Sequence, residues 1–308
     1  MKVFLTGASG FIGSHVARFL VNKGCDVLAL VLPNEMLWRL ADLIGKIEVV
    51  KGNLNDVASY RPALAEWQPE VCIHLAWFVE PGNYLHSPEN IYALNASLTL
   101  LQTLSELKCQ QFVGAGTCAE YNTDRGYLLE DDPTDPVTLY AAAKLGCYLL
   151  GKQIAAAVGM RFAWGRIFYP YGPYEDERRV VPALIRILMK NQPFPATLGE
   201  QVRDYIYVED VATALCVLAE KQANGVFNIS SGAPVTIRQL LETIGNLMGR
   251  AEFIQFGAQP YRVWEPPFIC GDNQRLKGLG WKAAYTLHHG LSQTVHWWET
   301  RSQDGFSA

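Results

Sequence analysis

The sequence predicts an α/β protein, a doubly wound parallel sheet followed by a smaller C-terminal lobe. Three observations carry the prediction. Short apolar runs of β type alternate with longer helical segments through the first half, the rhythm of a parallel sheet covered on both faces. A glycine-rich turn, Gly7 to Gly13, sits directly between the first strand and the first helix. After Arg166 the texture changes, with Pro170, Gly172, Pro173, Pro193 and Pro195 gathered into one stretch.

Taken in order, residues 3–6, 27–31, 48–50, 71–75, 111–115 and 161–168 are expected as strands. Residues 12–22, 58–67, 91–107 and 139–157 are expected as the helices between them. The later helices, 181–190 and 237–248, are separated by loops. This divides the chain into a dinucleotide-binding domain over 1–165 and a smaller substrate-binding lobe over 166–308. Residues 208–230 are expected to pack back on the first domain.

Composition narrows the class. The 308 residues are 49% hydrophobic and 18% charged, with a net charge of −4 and no basic run, which argues against nucleic acid. Apolar stretches are broken by charge or glycine before they reach membrane-spanning length. The first strand begins at Lys2 with no leader pattern before it. The seven cysteines are scattered, with no Cys-x-x-Cys pair, as expected of free thiols in a reducing compartment. The cytoplasm is the expected location. His288, His289 and His296 lack a Cys or carboxylate at ligand spacing, and no metal is expected.

The turn Thr6-Gly7-Ala8-Ser9-Gly10-Phe11-Ile12-Gly13 has the chemistry of a phosphate cradle. Its glycines permit a tight turn and close approach of backbone to a pyrophosphate. The helix start at Phe11, Ile12 and Gly13 offers free N–H groups and a positive dipole end. Far downstream, Tyr140 and Lys144 are spaced i, i+4, so both leave one face of a helix. An ammonium beside the phenol is expected to draw its pKa down towards the range of a general acid/base.

With Gly-x-x-Gly-x-x-Gly and Tyr-x-x-x-Lys in this order, the chain resembles the short-chain dehydrogenase/reductase superfamily. Three later segments narrow the resemblance to its extended branch, the nucleotide-sugar epimerase/dehydratase/reductase family with a Rossmann-type sheet. They are His74-Leu75-Ala76, Arg166-Ile167-Phe168-Tyr169-Pro170-Tyr171-Gly172-Pro173 and Val202-Arg203-Asp204-Tyr205-Ile206-Tyr207. The resemblance runs from residue 2 to about 298. It implies that Tyr140 exchanges a proton with a sugar oxygen while a nicotinamide exchanges hydride at the same carbon. Lys144 is then expected to hold the nicotinamide ribose, and Thr117, ahead of the Tyr-x-x-x-Lys helix, to orient the oxygen.

Departures from the family pattern select the reaction. Dehydratases carry an Asp-Glu pair after the Thr; Cys118 and Ala119 stand here, so dehydration is disfavoured. Two reactions remain: reduction of a 4-keto-6-deoxy sugar nucleotide at C4, which is preferred, or 4-epimerisation with tightly bound NAD. A non-catalytic nucleotide-binding regulator is the reading from another class, and Thr117, Tyr140 and Lys144 argue against it. Val31 stands where an acidic residue would reject a 2′-phosphate. Arg39 is close enough in sequence to reach one, so NADP(H) is favoured over NAD.

The resemblance places adenine near Asn53 and Leu54, with Ala76 and Asn95 also on the cofactor side. Arg203 and Arg262 match diphosphate-contacting arginines, a role that suits the guanidinium fork. Tyr169 stands where relatives place an Asn that contacts the substrate phosphate. Tyr84 and His86, in the loop after the fourth strand, are candidates for the sugar pocket because ligands bind at the carboxyl edge of such sheets. Residues 91–107 and 139–157 carry apolar or small residues beyond one face, which fits a homodimer through a four-helix bundle. The expected ligands are therefore a nicotinamide dinucleotide and a nucleotide-diphosphate sugar.

Overall fold

Alternate side chains of a strand face opposite ways, and here both faces of the first strand are covered. Val3 and Leu5 enter one apolar core while Phe4 enters another. The computed structural model, which describes residues 1–261 and 265–303, repeats this along a seven-stranded sheet. Its strands are β1 (Lys2–Thr6), β2 (Asp26–Val31), β3 (Glu48–Lys51), β4 (Val71–His74), β5 (Gln111–Thr117), β6 (Arg161–Ile167) and β7 (Gly225–Ile229). They lie in the order β7-β6-β5-β4-β1-β2-β3, and every neighbouring pair is parallel. The order reverses beside β1, so a crevice opens at the carboxyl ends of β1 and β4.

The longer helices are α1 (Phe11–Asn22), α2 (Arg61–Trp67), α3 (Glu89–Glu106), α4 (Leu139–Ala157), α5 (Val180–Met189), α6 (Val208–Glu220), α7 (Ile237–Met248) and α8 (Leu287–Gln303). On one face of the sheet, Val16 and Leu20 of α1 and Val211 and Leu215 of α6 pack on Val3, Leu5 and Val113. On the other, Leu64 of α2, Leu100 and Leu104 of α3 and Cys147 of α4 pack on Phe4, Phe112 and Trp164. Leu184 of α5, Leu240 and Ile244 of α7 and Leu291 and Val295 of α8 form a third core. Burying each such aliphatic side chain contributes about 1.5–3 kcal/mol.

Two differences from the sequence expectation are informative. Helix α3 begins at Glu89, two residues early, because Ser87 turns the chain there by accepting from the N–H of Glu89 at 3.2 Å. Residues 225–229 form an edge strand that the sequence reading did not assign. That strand pairs with β6, Gly225 opposite Ala163 through Ile229 opposite Ile167.

Candidate active site

The cradle is built from glycines that have no room for a side chain. Gly7 takes φ +72°, and a Cβ there would stand 2.7 Å from the amide nitrogen of Ala76. A Cβ on Gly13 would fall 1.9 Å from the carbonyl oxygen of Gly7 and 2.9 Å from Cα of Ala8. Both obstacles are backbone. Gly10 caps α1 with an extended conformation and no side-chain hydrogen bond, so the first N–H groups of the helix are left for a ligand. These features fit a dinucleotide diphosphate. Gly13→Ala is expected to push the turn and α1 apart, costing about 1–3 kcal/mol and weakening dinucleotide binding. Thermal denaturation and a cofactor titration check both effects.

The proposed reacting groups converge at the ends of β5 and α4. Thr117 closes β5, in register with Ile167. Thr138 caps α4 by accepting from the N–H of Ala141 at 3.2 Å, which sets Tyr140 in the first turn and Lys144 in the second. Tyr140 is half-buried, its N–H donates to Leu85 O at 3.0 Å, and its ring meets Tyr84 edge-on at 4.9 Å. Thr117 stands near enough to the Tyr140 hydroxyl to influence its ionisation. Thr117 Oγ1 also accepts from the N–H of Ala119 at 3.2 Å.

Here the pKa expectation is corrected. Burial pushes the Tyr140 phenol above its ordinary value; Tyr84 adds to the rise and the neighbouring Thr117 opposes it. The Lys144 ammonium has contacts of its own. Lys144 Nζ donates to Ala115 O at 2.8 Å and lies 3.9 Å from the centroid of the Trp77 ring. Burial brings Lys144 itself down to about 8, with Cys147 and Glu120 working against the fall. Next to Thr117, Cys118 is buried and its thiol is pushed up to about 12 by desolvation, so it offers no thiolate.

Behind Thr117 lies a group the sequence reading passed over. The Glu120 carboxylate is fully buried; it accepts from the N–H of Thr117 at 2.8 Å, from Trp164 Nε1 at 3.0 Å and from Arg166 Nε at 2.8 Å. Thr117 and Glu120 together form a capping box. The signal was present, since Thr-x-x-Glu is that motif's spacing. Asn90, also passed over and fully buried, holds the loop after β4. It donates to Tyr84 O at 2.6 Å and to Ser87 O at 2.9 Å, and accepts from Trp77 Nε1 at 2.9 Å. Arg179, half-buried at the start of α5, places its guanidinium 5.2 Å from the Tyr84 ring centroid.

The other candidates are placed as follows. Asn53 is exposed beyond β3, its side-chain oxygen accepting from the N–H of Asn55 at 3.0 Å, and Leu54 packs against the core beneath. Ala76 lies against the Gly7 turn. Asn95 is exposed on α3, and His86 is exposed in the loop before it. Arg39 is engaged by its neighbours. Its Nε donates to Tyr174 O at 3.2 Å and its guanidinium lies 4.1 Å from the Trp38 ring centroid. It lines a cavity of about 220 Å³ with Trp38, Trp297 and Trp298.

Arg203 is buried, donates to Glu265 at 2.9 Å and lies 5.6 Å from the ring centroid of half-buried Tyr169. Arg262 lies outside the described residues. Among the described residues, no three His, Cys, Asp or Glu side chains come together as metal ligands. Nor is any helix among them long and apolar enough to cross a membrane.

Known proteins place this architecture. Residues 3–230 match the NAD dependent epimerase/dehydratase family. UDP-glucose 4-epimerase of Corynebacterium glutamicum is 27% identical, over 93% of this chain and 92% of that one. CDP-abequose synthase of Salmonella typhimurium is also 27% identical, over 95% and 97%. The crystal structure of a UDP-glucose 4-epimerase from Thermotoga maritima, with UDP-glucose, superposes with a TM-score of 0.89 at 25% identity, covering 98% of this chain and all of that one. The chain belongs to the NAD dependent epimerase/dehydratase family.

Proposed function

We propose that the chain moves hydride and a proton at C4 of a nucleotide-diphosphate sugar, in the net direction of reducing a 4-keto-6-deoxy sugar with NADPH. The observation that carries this reading is the Thr117–Tyr140 hydroxyl pair at the end of β5, followed by Cys118 and Ala119 in place of a carboxyl pair. Two hydroxyls suffice to bind and protonate a carbonyl oxygen; elimination of water needs an acid and a base beyond them. The dinucleotide, when bound, supplies the hydride.

In this reading Thr117 Oγ1 orients the C4 oxygen and Tyr140 Oη gives it a proton. Lys144 keeps a positive charge at the base of the site, which favours the phenolate as the proton leaves. Tyr84 and His86 border the sugar. Arg203 exchanges Glu265 for a diphosphate oxygen, with Arg262 as its companion and Tyr169 alongside. Gly7, Gly10, Phe11, Ile12 and Gly13 cradle the dinucleotide diphosphate, with Asn53, Leu54, Ala76 and Asn95 along its length. The preference for NADPH rests on the end of β2, where Val31 is followed by Leu32 and no carboxylate. Likeness to CDP-abequose synthase supports a product other than a simple epimer pair.

The second reading, 4-epimerisation with retained NAD, is favoured by likeness to the Thermotoga 4-epimerase and by the engagement of Arg39 with Tyr174 and Trp38. Gel filtration followed by absorbance separates the two. Cofactor-free protein that consumes NADPH with a 4-keto-6-deoxy sugar nucleotide is the expected result. Protein that retains NAD and interconverts C4 epimers without net consumption overturns it. We assign 1–165 with 208–230 to the dinucleotide and the rest of 166–308 to the sugar nucleotide. The location is taken as cytoplasmic, a reading supported by seven unpaired thiols. A homodimer is placed on α3 and α4, supported by exposed Ile91, Tyr92, Leu149 and Leu150.

A further inference from the structure

Thr6, the last residue of β1, stands in register with His74, the last residue of β4. Its hydroxyl oxygen accepts from the N–H of Ala76 at 3.2 Å and, at the same distance, from that of Leu75, which also donates to the carbonyl oxygen of Thr6. These N–H groups take up the acceptor side of the hydroxyl. The hydroxyl proton is left for His74 Nδ1, 2.7 Å away. An imidazole that accepts at Nδ1 carries its proton on Nε2 when neutral. That nitrogen lies 2.8 Å from Ser97 Oγ, and Ser97 in turn donates to Ala93 O at 2.6 Å. Thr6, His74 and Ser97 are all buried.

We infer that His74 is a positioning residue for the dinucleotide: a neutral imidazole with its proton on Nε2, completing a one-way hydrogen-bond relay that fixes Gly7 against Ala76. The relay runs from the N–H groups of Leu75 and Ala76 through Thr6, His74 and Ser97 into α3. It therefore ties both walls of the crevice to the helix that packs beside α4, the carrier of Tyr140 and Lys144. The spacing it holds has no slack, since a single added carbon at Gly7 would stand 2.7 Å from Ala76 N and 2.9 Å from Leu75 C. A reversed tautomer would set the Nδ1 proton against the Thr6 hydroxyl and break the chain at its centre. Burial pushes the imidazole pKa down to about 3, and the Lys144 ammonium adds to the fall, which keeps the ring neutral near neutrality.

The inference rests on the reading of this crevice as the dinucleotide site, and the test separates the two. Dinucleotide affinity is measured by titration for the wild-type protein, Thr6→Val, Thr6→Ser and Ser97→Ala. The ¹⁵N signals of His74 are recorded at pH 7. Wild-type protein is expected to bind the dinucleotide and to show Nε2 protonated and Nδ1 bare. Thr6→Val, of nearly the same shape, is expected to bind about tenfold more weakly and to let the Nδ1-protonated tautomer appear.

Thr6→Ser keeps the hydroxyl and should recover wild-type affinity. Ser97→Ala removes the far acceptor and should move the tautomer signal in the same direction as Thr6→Val. Equal affinities for wild type and Thr6→Val, equal losses in the Ser and Val variants, or an Nδ1-protonated wild type would each overturn the inference. The wild-type spectrum decides the last point even if a variant does not fold. A wild-type protein with no dinucleotide affinity would instead sink the reading of the crevice.

Discussion

Replacing Tyr140 by phenylalanine is expected to lower kcat about a hundred- to ten-thousandfold while dinucleotide affinity stays within about twofold. The ring keeps its edge-on contact with Tyr84 at 4.9 Å, and the backbone keeps its bond to Leu85 O at 3.0 Å. Only the hydroxyl beside Thr117 is lost. A fall in kcat with binding retained marks an interaction made in the transition state. Undiminished turnover would remove Tyr140 from the chemistry, and parallel loss of binding and turnover would make it a packing aromatic.

The pH profile adds a sign. A phenol whose pKa is raised by burial stays protonated through neutrality, so in the reducing direction its proton is available there and the rate should be flat. Lys144 titrates near 8. Above that value its charge disappears, the phenolate left after proton transfer loses its stabilisation, and the reducing rate should decline. Lys144→Arg, which stays charged, should carry the decline to higher pH.

The sequence made some parts of this site readable and hid others for physical reasons. The cradle was legible because its constraint is backbone: Gly7 and Gly13 cannot carry a Cβ, and only one residue type answers that. The shared face of Tyr140 and Lys144 was legible from helical periodicity. The direction of the Lys144 side chain was not, since four rotatable bonds let its ammonium choose between the phenol, Ala115 O and the Trp77 ring. Glu120 was harder still, because its burial depends on Trp164 and Arg166 arriving from β6, more than forty residues away in the chain. The edge strand Gly225–Ile229 went unassigned because its five residues, Gly-Val-Phe-Asn-Ile, have too short a pattern to separate strand from loop.

Glu120→Ala should have the largest effect on stability. The Arg166–Glu120 pair is buried on both sides, with side-chain exposures of 3% and 0%. Removing one partner of such a pair leaves a charge in the interior without compensation, at about 3–5 kcal/mol. The N–H groups of Thr117 and Trp164 lose their acceptor in the same step, adding to the cost. Arg166 has little else to turn to: its guanidinium lies 4.2 Å from the Tyr121 ring centroid, and its NH1 donates to Glu130 O only at 3.4 Å.

Denaturant unfolding of Glu120→Ala, Arg166→Met and the double variant checks the argument. The double variant should lose less than the two single losses added together, since no lone charge remains. Strict additivity would mean the ion pair is not coupled in the protein. Activity should fall beyond what partial unfolding explains, because Glu120 Oε1 holds the N–H of Thr117 at 2.8 Å, and a Thr117 free to rotate no longer aims its hydroxyl at Tyr140. Glu120→Gln, which keeps an acceptor oxygen for that N–H, should retain more turnover than Glu120→Ala at matched folded fraction. If the two variants were equally impaired, the carboxylate would serve the fold through its charge alone and not through the aim of Thr117.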